Sequence, residues 1–185
     1  LLGAFVLGLV VADENAIASY KVATTIPFAL NFIPSSLMMF VYPYFARHKD
    51  EREWVSKYYR MITLSMSLVN FFIVVGGVLL AEPIVRIIFG SAYLDAVIPF
   101  QILMVSYFFT GTFQKIAGNL LVSQRKLKFN LFVGVLGAIS SMVFNALLIP
   151  KRLAVGAALS NTLTAILLSL VCTIYFLRVI KEIPV

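Results

Sequence analysis

The feature that most constrains this chain is a series of five long apolar segments. They cover residues 22–46, 61–81, 96–124, 129–150 and 153–177. A helix that crosses the hydrocarbon core of a bilayer needs about 20 residues, and each segment reaches that length. The segments are continuously apolar and far longer than the ~10 residues of a barrel strand. The expected fold class is therefore all-α, a polytopic membrane helix bundle.

The composition excludes a water-soluble domain. Of the 185 residues, 61% are hydrophobic and 12% are charged, whereas soluble domains average roughly 45–50% and about 25%. So few charges cannot cover a soluble surface, and membrane lipid is the expected partner of most of it. Segment 1–12 is apolar but short, and we interpret it as the end of a sixth span whose beginning is missing. The chain 1–185 is then a single bundle cut from a longer protein, with its first helix truncated.

Lysine and arginine residues are distributed unevenly between the connections. Ten lie in 47–60, 125–128 and 178–185. The four on the other side are Lys21, Arg86, Lys151 and Arg152. The positive-inside rule places the side with ten in the cytoplasm. This predicts a multi-pass protein of the plasma membrane with a cytoplasmic C-terminus, and it explains the net charge of +7 without a nucleic-acid partner.

Two connections have helical character. In 47–60, Glu53 and Lys57 are four residues apart, which fits a helix at the headgroup level, but we favour a solvated connector. In 82–90, a proline in the first turn and a glycine at the end predict a short interfacial helix. A kink is expected in the first complete span because it contains three prolines. They are Pro27, Pro34 and Pro43.

One charge, Lys115, interrupts a span well inside its apolar window. Ionisable groups at the bilayer centre cost ~2.5–3.5 kcal/mol on insertion scales, so they usually face a cavity or a partner. Polar and small residues recur around Lys115 at helical spacing, which predicts a stripe toward the bundle interior. The stripe contains Tyr107, Thr110, Gly111, Gln114 and Gly118. Two interpretations stay open for Lys115, a ligand-facing cation and a side chain that snorkels to the cytoplasmic interface.

A second stripe begins at Lys21, at the outer edge of the first complete span. The residues that follow on the same face are Thr24, Phe28, Asn31 and Ser35. For Lys21 an interfacial anchor is the leading interpretation. Uncharged polar residues on other spans, such as Asn70, Asn145 and Asn161, most often join helices and say little about function.

No constellation typical of an enzyme is present in the sequence. The single histidine, His48, lies in a basic connection, and the single cysteine, Cys172, lies in an apolar run. They predict neither a metal site nor a disulfide. No carboxylate falls inside a span, and no phosphate-cradling glycine loop occurs. We therefore expect no cofactor and no catalytic residues.

Three stretches resemble the C-terminal half of polysaccharide flippases, in the group that also contains multidrug and toxin extrusion transporters. They read VYPYFAR at 41–47, EPIVRIIFGSAY at 82–93 and LIPKRLAVGAA at 148–158. The second stretch is similar to the family's P-I-l-x-l-l-f-G-x-x-Y segment and is the most specific. In the third, Arg152 and Leu153 stand where the family usually has an aromatic residue and a glycine.

The resemblance implies a pseudo-twofold transporter of which this chain is one six-helix half. Such a protein flips a sugar carried on a polyprenyl phosphate, so the implied partners are that lipid-linked sugar, the missing N-terminal bundle and glycosyltransferases. The candidate substrate-binding residues are Lys115, Gln114, Lys21 and Asn31. Two alternatives stay open, a multidrug or metabolite exporter of the same architecture and a non-transporting membrane subunit of a glycan assembly complex.

Overall fold

The computed structural model describes residues 14–184, and the regular structure in that range is entirely helical. The expected sixth span, in 1–12, lies outside the described residues. In chain order the elements are α1 (Glu14–Leu30), α2 (Phe32–Arg47), α3 (Arg52–Leu79), α4 (Ala81–Phe89), a 3₁₀ segment (Ser91–Ala96), α5 (Val97–Phe109), a π turn (Thr110–Gln114), α6 (Lys115–Ser123) and α7 (Leu127–Glu182). An all-helical fold is thus confirmed for this part of the chain.

Four helical stretches in the described range are long and apolar enough to cross a membrane. They are Asn15–Arg47, Arg52–Leu79, Ser91–Ser123 and Leu127–Glu182. The last of them is interrupted at Leu153, whose backbone angles are φ 48° and ψ −124°. The break divides α7 into two stretches of helix, which we call the first arm (residues before Leu153) and the second arm (residues after it).

The two arms of α7 form an antiparallel hairpin. The rings of Phe129 and Tyr175 stack with their centroids 3.7 Å apart, which joins the start of the first arm to the end of the second. Near the break, Gly156 lies so close to Leu148 that an added β-carbon would overlap the Leu148 carbonyl oxygen. The four apolar stretches therefore contain five spans at the positions that the sequence predicted, and the count of six stays a prediction.

The expected kink in the first complete span occurs at Asn31, between α1 and α2. Pro34 has no N–H to donate to the carbonyl of Leu30, so the regular bonding cannot continue through this point. The backbone N–H of Asn31 bonds to Phe28, and its side-chain Nδ2 donates to the carbonyl of Pro27 at 3.0 Å. The side chain thus replaces a backbone donor, as a broken helix in lipid requires.

The stretch Ser91–Ser123 is the centre of the bundle, and we call it the central rod. Half of its apolar window is buried, against 17% for each of the stretches Asn15–Arg47 and Arg52–Leu79. Its α5 packs against α1, α3 and α7, and its α6 packs against α2 and α7. The polar positions of the central rod are therefore held among neighbours on several sides.

Two buried hydrophobic clusters occupy the two ends of the bundle. One contains Phe45, Ile116 and Phe176, and the other contains Phe100 and residues near both α4 and the α7 break. The connections rich in lysine and arginine meet at the first of these ends, which we call the basic end. There, Lys126 Nζ lies 3.9 Å from Glu182 Oε2.

The predictions for the two connections 47–60 and 82–90 compare differently with the structure. The solvated connector favoured for 47–60 is wrong, since α3 begins at Arg52 and carries the charged residues as its first turns. The short helix predicted for 82–90 is confirmed as α4, with an exposed ion pair between Glu82 and Arg86 at 2.8 Å, and its interfacial position stays a prediction. Gly90 ends α4 at φ 95°, a conformation that glycine adopts without strain.

Candidate functional site

The central rod changes its helical geometry at the π turn. The backbone N–H of Lys115 bonds to the carbonyl of Thr110, five residues earlier. Side chains bond to carbonyls beside the turn, with Thr110 Oγ1 donating to Ser106 at 2.7 Å and Ser169 Oγ donating to Phe109 at 3.0 Å. Single π turns inside membrane helices often occur at functional sites. The turn therefore marks this depth of the bundle as a candidate site.

A buried polar network joins the π turn to α3. Tyr107 Oη donates to Asn70 Oδ1 at 2.8 Å, and Asn70 Nδ2 donates to Thr112 Oγ1 at 3.0 Å. All three side chains are buried. A β-carbon at Gly111 would lie 3.0 Å from the Tyr107 ring, so glycine lets the ring reach Asn70. The network uses both polar atoms of the Asn70 amide, which fixes the central rod against α3.

Lys115 is the first residue of α6 and is half-buried. Its depth follows from the network, because Asn70 and Thr112 lie at the same level. Asn70 is ten residues from Arg60, the last charge of α3, or roughly 15 Å at 1.5 Å per residue. Lys115 is three residues nearer the basic end than Thr112, so it lies about 10 Å inside the apolar belt. The lysine stem covers roughly half of that distance, which makes complete snorkelling unfavourable.

Lys115 has no acidic partner among the residues that the structure describes. The ion pairs there are Lys49 with Asp50, Arg86 with Glu82 and Lys126 with Glu182. In the sequence, all eight carboxylates fall outside the five apolar segments. A charge at this depth is stable only when it is paired or solvated, and the described residues supply Lys115 with no carboxylate partner.

The other three candidate residues occupy different places. Gln114 is half-buried and is the last residue of the π turn, next to Lys115. Asn31 sits at the α1–α2 break with its Oδ1 buried and without a hydrogen bond. Lys21 is exposed in the middle of α1, ten residues or roughly 15 Å before Asn31, and not at the edge of the span where the sequence placed it. Among the described side chains, no hydrogen bond or ion pair joins any two of the four candidates.

The π turn divides the stripe that was predicted around Lys115. Tyr107 and Gly111 face Asn70, but Gly118 faces the first arm of α7, where Asn130 Nδ2 donates to its carbonyl at 3.3 Å. An inserted residue rotates the following helix by about 100°. Thr112 was missing from the stripe although it precedes Lys115 by three residues, a spacing that was visible in the sequence.

The structure therefore defines an all-helical bundle with helices apolar enough to cross a membrane, a polar centre of packed side chains and one half-buried lysine without an ion-pair partner among the described residues. Residues 2–98 match the model of a family described as polysaccharide biosynthesis protein. Because the match covers more than half of the chain, the chain belongs to this family. The comparisons with curated proteins and with solved structures found no match.

Proposed function

We propose that this chain is part of a transporter that flips a lipid-linked oligosaccharide or polysaccharide precursor across the plasma membrane. The observation that carries the proposal is membership of the polysaccharide biosynthesis family in a chain whose described part contains four helical stretches long and apolar enough to cross a membrane. The basic end faces the cytoplasm in this proposal, because lysine and arginine accumulate on cytoplasmic connections. The C-terminus, which lies at that end, is cytoplasmic as well.

The substrate class agrees with the chemistry at Lys115. A sugar carried on a polyprenyl phosphate has an anionic group that must pass through the apolar belt. Lys115 offers a positive charge about 10 Å inside the belt, with the amide of Gln114 beside it as a hydrogen-bond donor and acceptor. We assign the phosphate to Lys115 and a polar contact to Gln114, and neither residue acts as a catalyst.

The proposed transporter works with a second bundle. Lys21 lies on α1 and Asn31 lies at the break that follows it. Both are at other depths than Lys115, so one phosphate cannot contact all three residues at once. In a flippase the substrate passes successive depths, and these residues would contact it at different stages of the passage. Glycosyltransferases that build the lipid-linked sugar are the partners that this function requires.

The test is export of the surface polysaccharide in a strain that lacks the native gene. The full-length gene is returned as wild type, as Lys115→Ala and as Lys115→Arg, with membrane levels matched by immunoblotting. Lys115→Ala is expected to reduce export about tenfold or more, because the phosphate loses the cation that this bundle places inside the apolar belt. Lys115→Arg keeps the charge and is expected to retain most of the export.

The matched control is Lys128→Ala, which removes an exposed lysine from the basic end outside the candidate site. Its export should equal that of wild type. Unchanged export for Lys115→Ala would remove Lys115 from the mechanism. Full export in the deletion strain itself would contradict the flippase function and leave the exporter and scaffold alternatives.

A further inference from the structure

The first turns of α3 form a cationic cleft at the basic end. The cleft is a shallow, open surface lined by Arg52, Glu53, Ser56, Lys57 and Arg60, which all lie on this one helix. Arg52, Ser56 and Arg60 are spaced four residues apart and share one face of the helix. The lining thus combines three cations and one hydroxyl with a single carboxylate, a set of groups suited to an anion.

The cations of the cleft are not used in ion pairs within the described chain. Arg52, Lys57 and Arg60 take part in none of the three ion pairs found there. Lys57 Nζ lies 6.0 Å from the centre of the Tyr58 ring, a contact that leaves its ammonium group open to an anion. By contrast, Lys49 and Lys126 at the same end lie within 4 Å of a carboxylate.

The depth of the cleft is set by the length of α3. The helix has 28 residues, and those from Met61 to Leu79 contain no charge, a length of about 28 Å that matches the ~30 Å hydrocarbon core. The charged turns from Arg52 to Arg60 therefore extend into the headgroup layer. Met61, directly after Arg60, is exposed to the lipid side.

Aromatic side chains near the start of α3 also indicate that this part of the helix lies in the headgroup layer. The Trp54 ring stacks on His48 and packs against Tyr58, each with ring centroids 4.3 Å apart, and it meets Phe45 edge-on at 5.1 Å. Tryptophan and tyrosine concentrate at membrane interfaces because one part of each ring system is apolar and another is polar. The cluster holds the start of α3 at the interface, with the cleft beside it.

We propose that this cleft binds the phosphate group of an anionic membrane lipid in the leaflet at the basic end. Two arginines supply paired donors for phosphate oxygens, Lys57 adds charge, and the Ser56 hydroxyl donates a further hydrogen bond. This site is separate from Lys115, and the proposal does not depend on flippase activity.

The test measures lipid selectivity of the full-length protein in vesicles of phosphatidylcholine with spin-labelled phosphatidylglycerol. Wild type is expected to prefer phosphatidylglycerol over labelled phosphatidylcholine. The triple variant Arg52→Gln, Lys57→Gln, Arg60→Gln should lose this preference, by roughly fivefold for each cation removed. The charge-keeping variant Arg52→Lys, Arg60→Lys should retain only part of it, because the charge remains but the paired donors of the guanidinium groups are lost.

A matched triple variant removes three exposed cations of the same end outside the cleft, Lys128→Gln, Arg178→Gln and Lys181→Gln. Its selectivity should stay close to that of wild type. Equal losses in the two triple variants would overturn the proposal, because they would show only diffuse attraction. No preference in wild type would overturn it as well.

A second experiment distinguishes binding of a lipid phosphate from binding of soluble phosphate. Inorganic phosphate is added to the vesicles and compared with chloride at the same ionic strength. Stronger displacement of the labelled lipid by phosphate supports a site for the phosphate group. Equal displacement by the two salts contradicts such a site, and phosphate binding without any lipid preference contradicts the lipid as its source.

Discussion

The π turn at membrane depth and the α7 break at one end of the bundle are both irregular, and they are stabilised in different ways. At the π turn, freed or shifted backbone groups receive side-chain partners, and Tyr107 and Thr112 both bond to Asn70. At Leu153 the chain reverses with φ 48°, and Gly156 touches the backbone of the opposite arm. The polar groups at the π turn have hydrogen-bond partners, whereas the α7 break combines a strained backbone with close packing of the two arms.

The difference shows which irregularity is suited to function. The hairpin turn at Leu153 is explained by topology alone, because two spans must be joined by a short connection. The π turn joins nothing, since the helix continues in the same direction on both sides. Its extra residue places Thr112 on Asn70 and sets the rotation of Lys115, so the polar site accounts for it.

The largest expected effect is that of Gly156→Ala. The added β-carbon would overlap the Leu148 carbonyl oxygen, a backbone atom that cannot rotate away. The arms must separate, which is expected to destabilise the protein by about 3 kcal/mol. Thermal unfolding in detergent measures the loss, and Gly134→Ala is the control because nothing lies within 4 Å of its added carbon. Equal stability of the two variants would contradict the close packing of the arms.

Gly111→Ala makes the same change at the π turn, with a smaller expected cost of about 1 kcal/mol. The new carbon would meet the Tyr107 ring at 3.0 Å and Asn70 Nδ2 at 3.3 Å, and both are side-chain atoms that can shift. The thermal unfolding of this variant and of Gly156→Ala, measured under the same conditions, shows which substitution destabilises the protein more. A loss greater than that of Gly156→Ala would reverse the comparison drawn here.

Tyr107→Phe tests whether the π turn is stabilised by its polar network. The change removes the donor to Asn70 Oδ1 and leaves that buried oxygen unpaired, which should cost about 1 kcal/mol. A double-mutant cycle with Thr112→Val checks the coupling through Asn70. Strictly additive losses would show that the two bonds are independent.

Leu153→Gly is expected to stabilise the protein by about 1 kcal/mol. Glycine adopts φ 48° and ψ −124° without the clash of a β-carbon. Leu153 is 41% exposed, so the loss of its side chain removes little packing. A lower unfolding temperature for the variant would contradict the strain.

The spans could be predicted because apolar length is a property of the local sequence. Windows such as 61–81 and 129–150 coincide with α3 and with the first arm of α7. The start of α3 at Arg52 was missed since charged residues were assigned to a connector, although a helix continues unchanged into the headgroup layer. The three prolines predicted a kink in this span but not its position at Asn31, where the side-chain amide bonds to the Pro27 carbonyl.

The site could be predicted only in part. Lys115 was identified because charge within an apolar window is rare, and Asn70 was noted as a polar position on another span. Their relation depends on the π turn, which no local pattern indicated, and the inserted residue changed which side chains share a face with Tyr107. Contacts across 37 residues, such as that of Tyr107 with Asn70, follow from the packing of the whole bundle.

The most direct test of the account is transbilayer movement of a fluorescent lipid-linked oligosaccharide by the purified full-length protein in vesicles. A membrane-impermeant quencher reports how much of the lipid has moved. The account predicts rapid movement with wild type and slow movement, near that of protein-free vesicles, with Lys115→Ala, while Lys128→Ala equals wild type. Movement at the protein-free rate with well-folded wild type would contradict the flippase function.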